Sequence, residues 1–131
     1  MEDMRVSTPG RQAIVDITDE IDSRLPAAVD DGVCTVFVKH TTAALIVQEA
    51  ESRLLDDIDR FLTDLVPESG HAHDEIDDNA AAHLRATVLG PAVTVPIEAG
   101  SIDLGTWQSI LLVELDGPRT RTVTVTTGPG D

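Results

Sequence analysis

Gln108 to Thr127 reads QSILLVELDGPRTRTVTVTT. Two β-prone runs stand in it, Gln108–Leu115 and Arg121–Thr127, rich in Ile, Leu, Val and Thr. Between them, Asp116-Gly117 supplies the residue pair that tight turns prefer, so the segment is expected to form an antiparallel hairpin. A chain that ends this way is not built only of parallel strands joined by helices.

Working outward, Ala92–Ile97 is a further strand, with Pro96 confining it to an edge or a bulge. Before it, Asp77 or Asp78 can cap a helix running through Ala80, Ala82, His83 and Val88 to Gly90. Glu68 to Asp77 is polar and reads as a loop. From Glu51 the apolar positions fall at helical spacing, Leu54, Leu55, Ile58, Phe61, Leu62 and Leu65, until Pro67 stops the helix. Val33–Lys39, VCTVFVK, is a β-branched strand, and Leu45–Val47 a short one. Arg11–Thr18 alternates as a strand, followed by a helix through Ile21, Leu25 and Ala28 that Thr18 or Asp19 can cap. The sum is α+β, one domain over 1–131, with mostly antiparallel pairing and about three helices. Three helices are too few to cover every sheet face, and an uncovered apolar face favours self-association.

Charge narrows the function. Twenty-four acidic residues face nine basic ones, a net charge of −15, and Lys39 is the single lysine. Such a surface repels nucleic acid and anionic membranes. Its excess of Asp over Lys fits a salt-rich cytoplasm, where the Debye length shrinks to roughly 3 Å at 1 M. Cys34 has no partner for a disulfide and lies in an apolar run as a small hydrophobe. The opening MEDMRV lacks the pattern of a signal peptide, and no apolar run is long enough to span a bilayer, so a soluble cytoplasmic protein is expected.

Chemistry concentrates in the histidines. His40 ends a strand, His71 and His73 sit in the polar loop, and His83 lies mid-helix four residues after Asn79. Three imidazoles from a strand end, a loop and a helix can hold a divalent metal with an open position. Their spacing matches no short metal motif, and unrelated surface histidines are the plainer reading of the residues alone.

Longer words carry more. Gly100–Gln108, GSIDLGTWQ, resembles the G-x-L-x-LGTWQ signature of the YjbQ family, the secondary thiamine-phosphate synthase enzymes. An apolar strand, Glu114 and Asp116-Gly117-Pro118-Arg119-Thr120-Arg121 follow it, as they do in that family. Upstream, His40-Thr41-Thr42-Ala43 is similar to its HTTA element, with Glu49 at its acidic position. His73–Asn79 and Ala82-His83-Leu84 resemble its third block. The resemblance implies sandwich-like sheets packed with helices and a homotrimer. It also implies a low-level activity that joins a pyrimidine diphosphate to a thiazole phosphate with loss of pyrophosphate. It carries His40, His73 and His83 over as the site cluster, with Glu49 and Asn79 near it. His71 stands where relatives often have an aromatic; the spacing to Asn79 and His83 favours His73 over it.

The implied reaction needs charge balance on a departing diphosphate, from a divalent cation such as zinc or magnesium or from arginine. Arg119 and Arg121 are expected on one strand face as phosphate clamps, or equally as ordinary ion-paired arginines. Thr41 and Thr42 offer an anion nest or merely a turn. Glu49 is a metal ligand or base, or a helix N-terminal carboxylate. Trp107 is expected as a packing anchor or interface residue rather than a ring that stacks on a pyrimidine, and Lys39 to point away from the site. The expected function is therefore a phosphate-handling, metal-assisted small-molecule enzyme. The competing reading is a trimer that binds a metal or metabolite without catalysis.

Overall fold

The computed structural model describes residues 1–130. Eight strands run in the order β1 (Glu2–Ser7), β2 (Ala13–Asp16), β3 (Gly32–Val38), β4 (Ala43–Gln48), β5 (Ala92–Glu98), β6 (Ser101–Ile102), β7 (Ser109–Glu114) and β8 (Thr120–Gly128). Helix α1 (Thr18–Asp22) lies between β2 and β3, while α2 (Ser52–Leu65) and α3 (Ala80–Leu89) lie between β4 and β5. The strands make two antiparallel sheets, β1-β8-β3-β5-β6 and β2-β7-β4.

Alternation along the strands builds two cores. On β7, Ile110 and Leu112 face the larger sheet with Ala43 and Leu45 of β4, meeting Val36, Val38, Val123 and Val125. Their neighbours Val113 and Leu115, with Ala44, face the other way and meet Leu62 of α2 and Ala82 and Ala86 of α3. A strand buried on both faces reads as a continuous apolar run, which is what ILLV in β7 is. The order of layers is large sheet, small sheet, then α2 and α3, and among the described residues no helix covers the outer face of the large sheet. That face presents Thr35, Phe37, Thr94, Thr122 and Thr126 in adjacent strands.

The alanines of α3 let it lie close to β4, and Arg85 fixes it against the end of α2. This arginine is buried, with Nε donating to the Leu62 carbonyl (2.7 Å) and Nη2 to that of Val66 (2.7 Å). It thereby satisfies carbonyls that every helix C-terminus leaves open. The N-terminus of α2 is capped by Glu51, which accepts from the backbone N–H of Arg53 and of Leu54 (3.2 Å).

Several expectations are corrected. The Gln108–Thr127 segment is not a hairpin: β7 and β8 belong to different sheets, and Asp116–Arg119 carries the chain across the sandwich. Gly117 is required there, since a Cβ would stand 2.7 Å from Cγ of Glu114 and closer still to the Gly10 carbonyl. Helix α1 is one turn, not an element reaching Ala28, and Thr18 is its first residue rather than its cap. Asn79, not Asp77 or Asp78, holds the cap position of α3, and its side chain caps nothing. The polar loop contains a 3-10 turn at Ala72–Glu75. Strands β1 and β6 were not expected. Trp107 is 74% exposed, so it does not pack within the chain.

Thr18 Oγ1 donates to Asp16 Oδ1 (2.7 Å) and accepts from the Ile110 N–H (2.8 Å), joining α1 to β7. Thr18→Ala is expected to cost about 1 kcal/mol, the usual net worth of such bonds, read from the midpoint of urea unfolding.

Candidate functional site

One end of the sandwich gathers the ends of β3, β4, β7 and β8 and the first turns of α3. A cavity of about 660 Å³ opens there. Its walls carry Lys39, His40, Thr41 and Thr42 from the β3–β4 connection, Asp77, Asn79 and His83 from around α3, and Asp116, Arg119, Thr120 and Arg121 from the crossing into β8. A second cavity of about 350 Å³ adjoins it, sharing His40, Thr41 and His83 and adding Ala43, Ala86, Thr87 and Pro91.

Beneath the first cavity lies a buried ion pair. Glu114 is fully buried and Arg121 is 2% exposed. Arg121 Nε donates to Glu114 Oε1 (2.8 Å), Nη2 donates to Oε2, and Nη2 also reaches Thr42 Oγ1 (2.9 Å). Thr8 Oγ1 (2.7 Å) and the Asp116 N–H (3.0 Å) complete the carboxylate's partners. Burial pushes the Glu114 carboxyl up, but the hydrogen bonds from Arg121, Thr8 and Asp116 outweigh it and hold its pKa below the ordinary value.

His40 is held from the far side. The Thr122 N–H donates to its Nε2 (2.9 Å), so the neutral ring carries its proton on Nδ1. Burial, then the charges of Arg121 and Arg119, lower its pKa against the opposing pull of Glu114. The unfolded chain binds the proton near pH 6.5, before the folded one does. Stability from His40 is therefore complete above that pH and is lost as pH falls below it. Urea unfolding at pH 7.5 and pH 5.5 is expected to show a smaller loss on acidification in His40→Gln than in the parent chain.

A second chain of bonds runs through Asn79. Its Nδ2 donates to Asp116 Oδ2 (2.9 Å), which turns Oδ1 toward His73 Nε2 (3.1 Å). His73 therefore donates from Nε2. Its ring meets that of His83 edge-on, with centroids 4.8 Å apart. Asp116 Oδ2 also accepts from Arg119 Nη2 (3.1 Å). Burial raises the Asp116 pKa, but the bonds from Asn79 and Arg119 more than reverse this, leaving it lowered.

Of the residues singled out in the sequence, His40, Thr41, Thr42, Asn79, His83, Arg119 and Arg121 line one cavity, with His73 behind His83. His71 turns back on its own loop, its ring against the Pro67 carbonyl (2.7 Å). Glu49 follows β4 at its opposite end, about 20 Å from Ala43 at the usual rise per residue, beside the Gln48–Ser109 pair. Lys39 borders the cavity, but its ammonium is engaged by Asp3 of β1, with Nζ 3.6 Å from Oδ2. The sequence marks Asp116 as a turn former; the structure places it in the cavity wall.

The model of the "UPF0047 protein YjbQ-like" family matches residues 2–129. The chain belongs to this family. A UPF0047 protein of Archaeoglobus fulgidus is 48% identical over 124 residues, covering 94% of this chain and 97% of that one. A UPF0047 protein of Methanothermobacter thermautotrophicus is 44% identical, covering 95% and 88%. Among solved structures, a YbjQ-like protein of unknown function from Sulfolobus solfataricus superposes with a TM-score of 0.92 at 42% identity, over 96% of this chain and 94% of that one. A hypothetical protein from Aeropyrum pernix gives 0.93 at 40%, over 98% and 97%. This UPF0047 chain thus shares the mixed α+β architecture of its YjbQ-like relatives. Among its described residues, no helix is long and apolar enough to cross a membrane.

Proposed function

We propose that this YjbQ-like chain is a cytoplasmic small-molecule enzyme acting on phosphate-bearing substrates. Its reaction is that of a secondary thiamine-phosphate synthase, coupling a pyrimidine diphosphate to a thiazole phosphate with release of pyrophosphate. One observation carries the reading: Arg119 and Arg121 meet His40 and His83 in a single cavity of a protein whose net charge is −15, while the Lys39 ammonium at its border is paired with Asp3 (3.6 Å). Cations are scarce in this chain, and a departing diphosphate is what such a cluster would stabilise. Arg121 commits Nε and Nη2 to Glu114 and Thr42, leaving Nη1 for a ligand. The Nδ1–H of His40 and the hydroxyls of Thr41 and Thr42 add neutral donors.

His40 does not fit as a metal ligand in this arrangement, because its Nε2 lone pair is engaged by Thr122 and its Nδ1 carries the proton. Zinc or magnesium on the three histidines is therefore not used in this reading. The adjacent His73 and His83 rings favour the second reading, a trimer that binds a metal or metabolite without turnover.

Incubation with both phosphorylated precursors is expected to yield thiamine phosphate and pyrophosphate above the protein-free rate, with His83→Ala inactive yet still folded. Stabilisation by zinc with no turnover would replace the first reading by the second. We propose a homotrimer, supported by the exposed Trp107, Phe61, Ile76 and Val88 on one small chain. Light scattering in high salt is expected to return the mass of three chains.

A further inference from the structure

The two adjoining cavities differ in kind. Every charged side chain lines the first, while the second is walled by Ala43, Ala86, Thr87 and Pro91 and carries no formal charge beyond the shared imidazoles. His40, Thr41 and His83 belong to both, so they stand where the polar lobe gives way to the neutral one. A free phosphate or diphosphate ion would leave the second lobe to water. A molecule that fills both needs an anionic end and a compact uncharged end, joined at the histidines.

From this we infer that the site takes phosphate esters whose organic group is small, uncharged and ring-sized, seated between Pro91 and Thr87 while the phosphate lies against Arg119 and Arg121. The inference rests on the proposed phosphate-handling site and adds where the organic group goes. Thr87 controls that lobe. It is exposed on α3, and its hydroxyl is bonded back to the His83 carbonyl (2.8 Å), so its side chain faces the cavity without supporting the core.

The test uses inorganic phosphate and phenyl phosphate as probes, by calorimetry and by amide chemical shifts. Phenyl phosphate is expected to bind about tenfold more tightly, as burial of part of a ring would give. It should shift the amides of Ala86 and Thr87, which inorganic phosphate leaves in place. Thr87→Phe, and Thr87→Leu as a milder variant, should erase the tenfold advantage while leaving the affinity for inorganic phosphate unchanged. If neither probe binds, the phosphate site itself is wrong. If both bind equally, or the advantage survives both Thr87 variants, the phosphate site stands and the assignment of the second lobe is overturned.

Discussion

Glu114→Ala is expected to destabilise the protein by about 3–5 kcal/mol, because it strands the Arg121 guanidinium in the interior. The cost is not the strength of one salt bridge. Arg121 is 2% exposed and has no other carboxylate partner among the described residues, so its charge would be left to Thr42. Thr8 and the Asp116 N–H would also lose their acceptor. The pair has a different fate when removed whole. Glu114→Leu combined with Arg121→Met removes both charges together, and such exchanges are often neutral or stabilising. The double variant is thus expected to melt well above Glu114→Ala, while losing affinity for inorganic phosphate because the cavity has lost a cation. Urea unfolding and phosphate titration on the same samples separate the two effects. A double variant no more stable than Glu114→Ala would show that the pair is not an isolated electrostatic unit.

The same carboxylate explains what could be read in the sequence and what could not. Alternation and β-branching reveal that Ser109–Glu114 and Thr120–Gly128 are strands, because those signals are local. They do not reveal partners. Asp116-Gly117 favours a hairpin on local grounds, yet Glu114 sits inside an apolar run with nothing near in sequence to balance it. Its balance is Arg121, reached by crossing from one sheet to the other, and a lone acid in ILLVEL was the available hint. Helix α2 was legible by its stripe, but the stripe is wider than the chain can cover: Leu62 is buried, whereas Phe61 is 62% exposed. Lys39 was legible as pointing away from the site, and its ammonium is paired with Asp3. Asp116 was lost because a turn explained it well enough. His40, Asn79 and His83 were legible through resemblance, while the direction of their hydrogen bonds required coordinates.

Arg119→Gln is expected to weaken phosphate binding by about 10–100-fold while changing stability by less than about 1 kcal/mol. Its side chain is 53% exposed, and its pairing with Asp116 is a surface pairing, so folding draws little from it. A bound phosphate draws much more, since the guanidinium contributes charge and directed donors at the cavity mouth. The substitution keeps a polar donor but removes the charge, so the affinity that remains should depend less steeply on salt. Asp116→Asn bears on the same pair from the other side. It removes a negative charge from the cavity wall and releases Arg119 from Asp116, both of which favour an incoming anion, so affinity for phosphate should hold or rise. At the same time an amide oxygen in the place of Oδ2 can still accept from Asn79 and Arg119, but without the charge those bonds weaken, and the melting temperature should fall. Opposite signs for these two neighbours, with Arg119→Gln weakening phosphate and Asp116→Asn not, follow from an anion site. Equal losses from both would instead mean that the crossing only holds the cavity's shape, and that phosphate, if it binds at all, binds elsewhere.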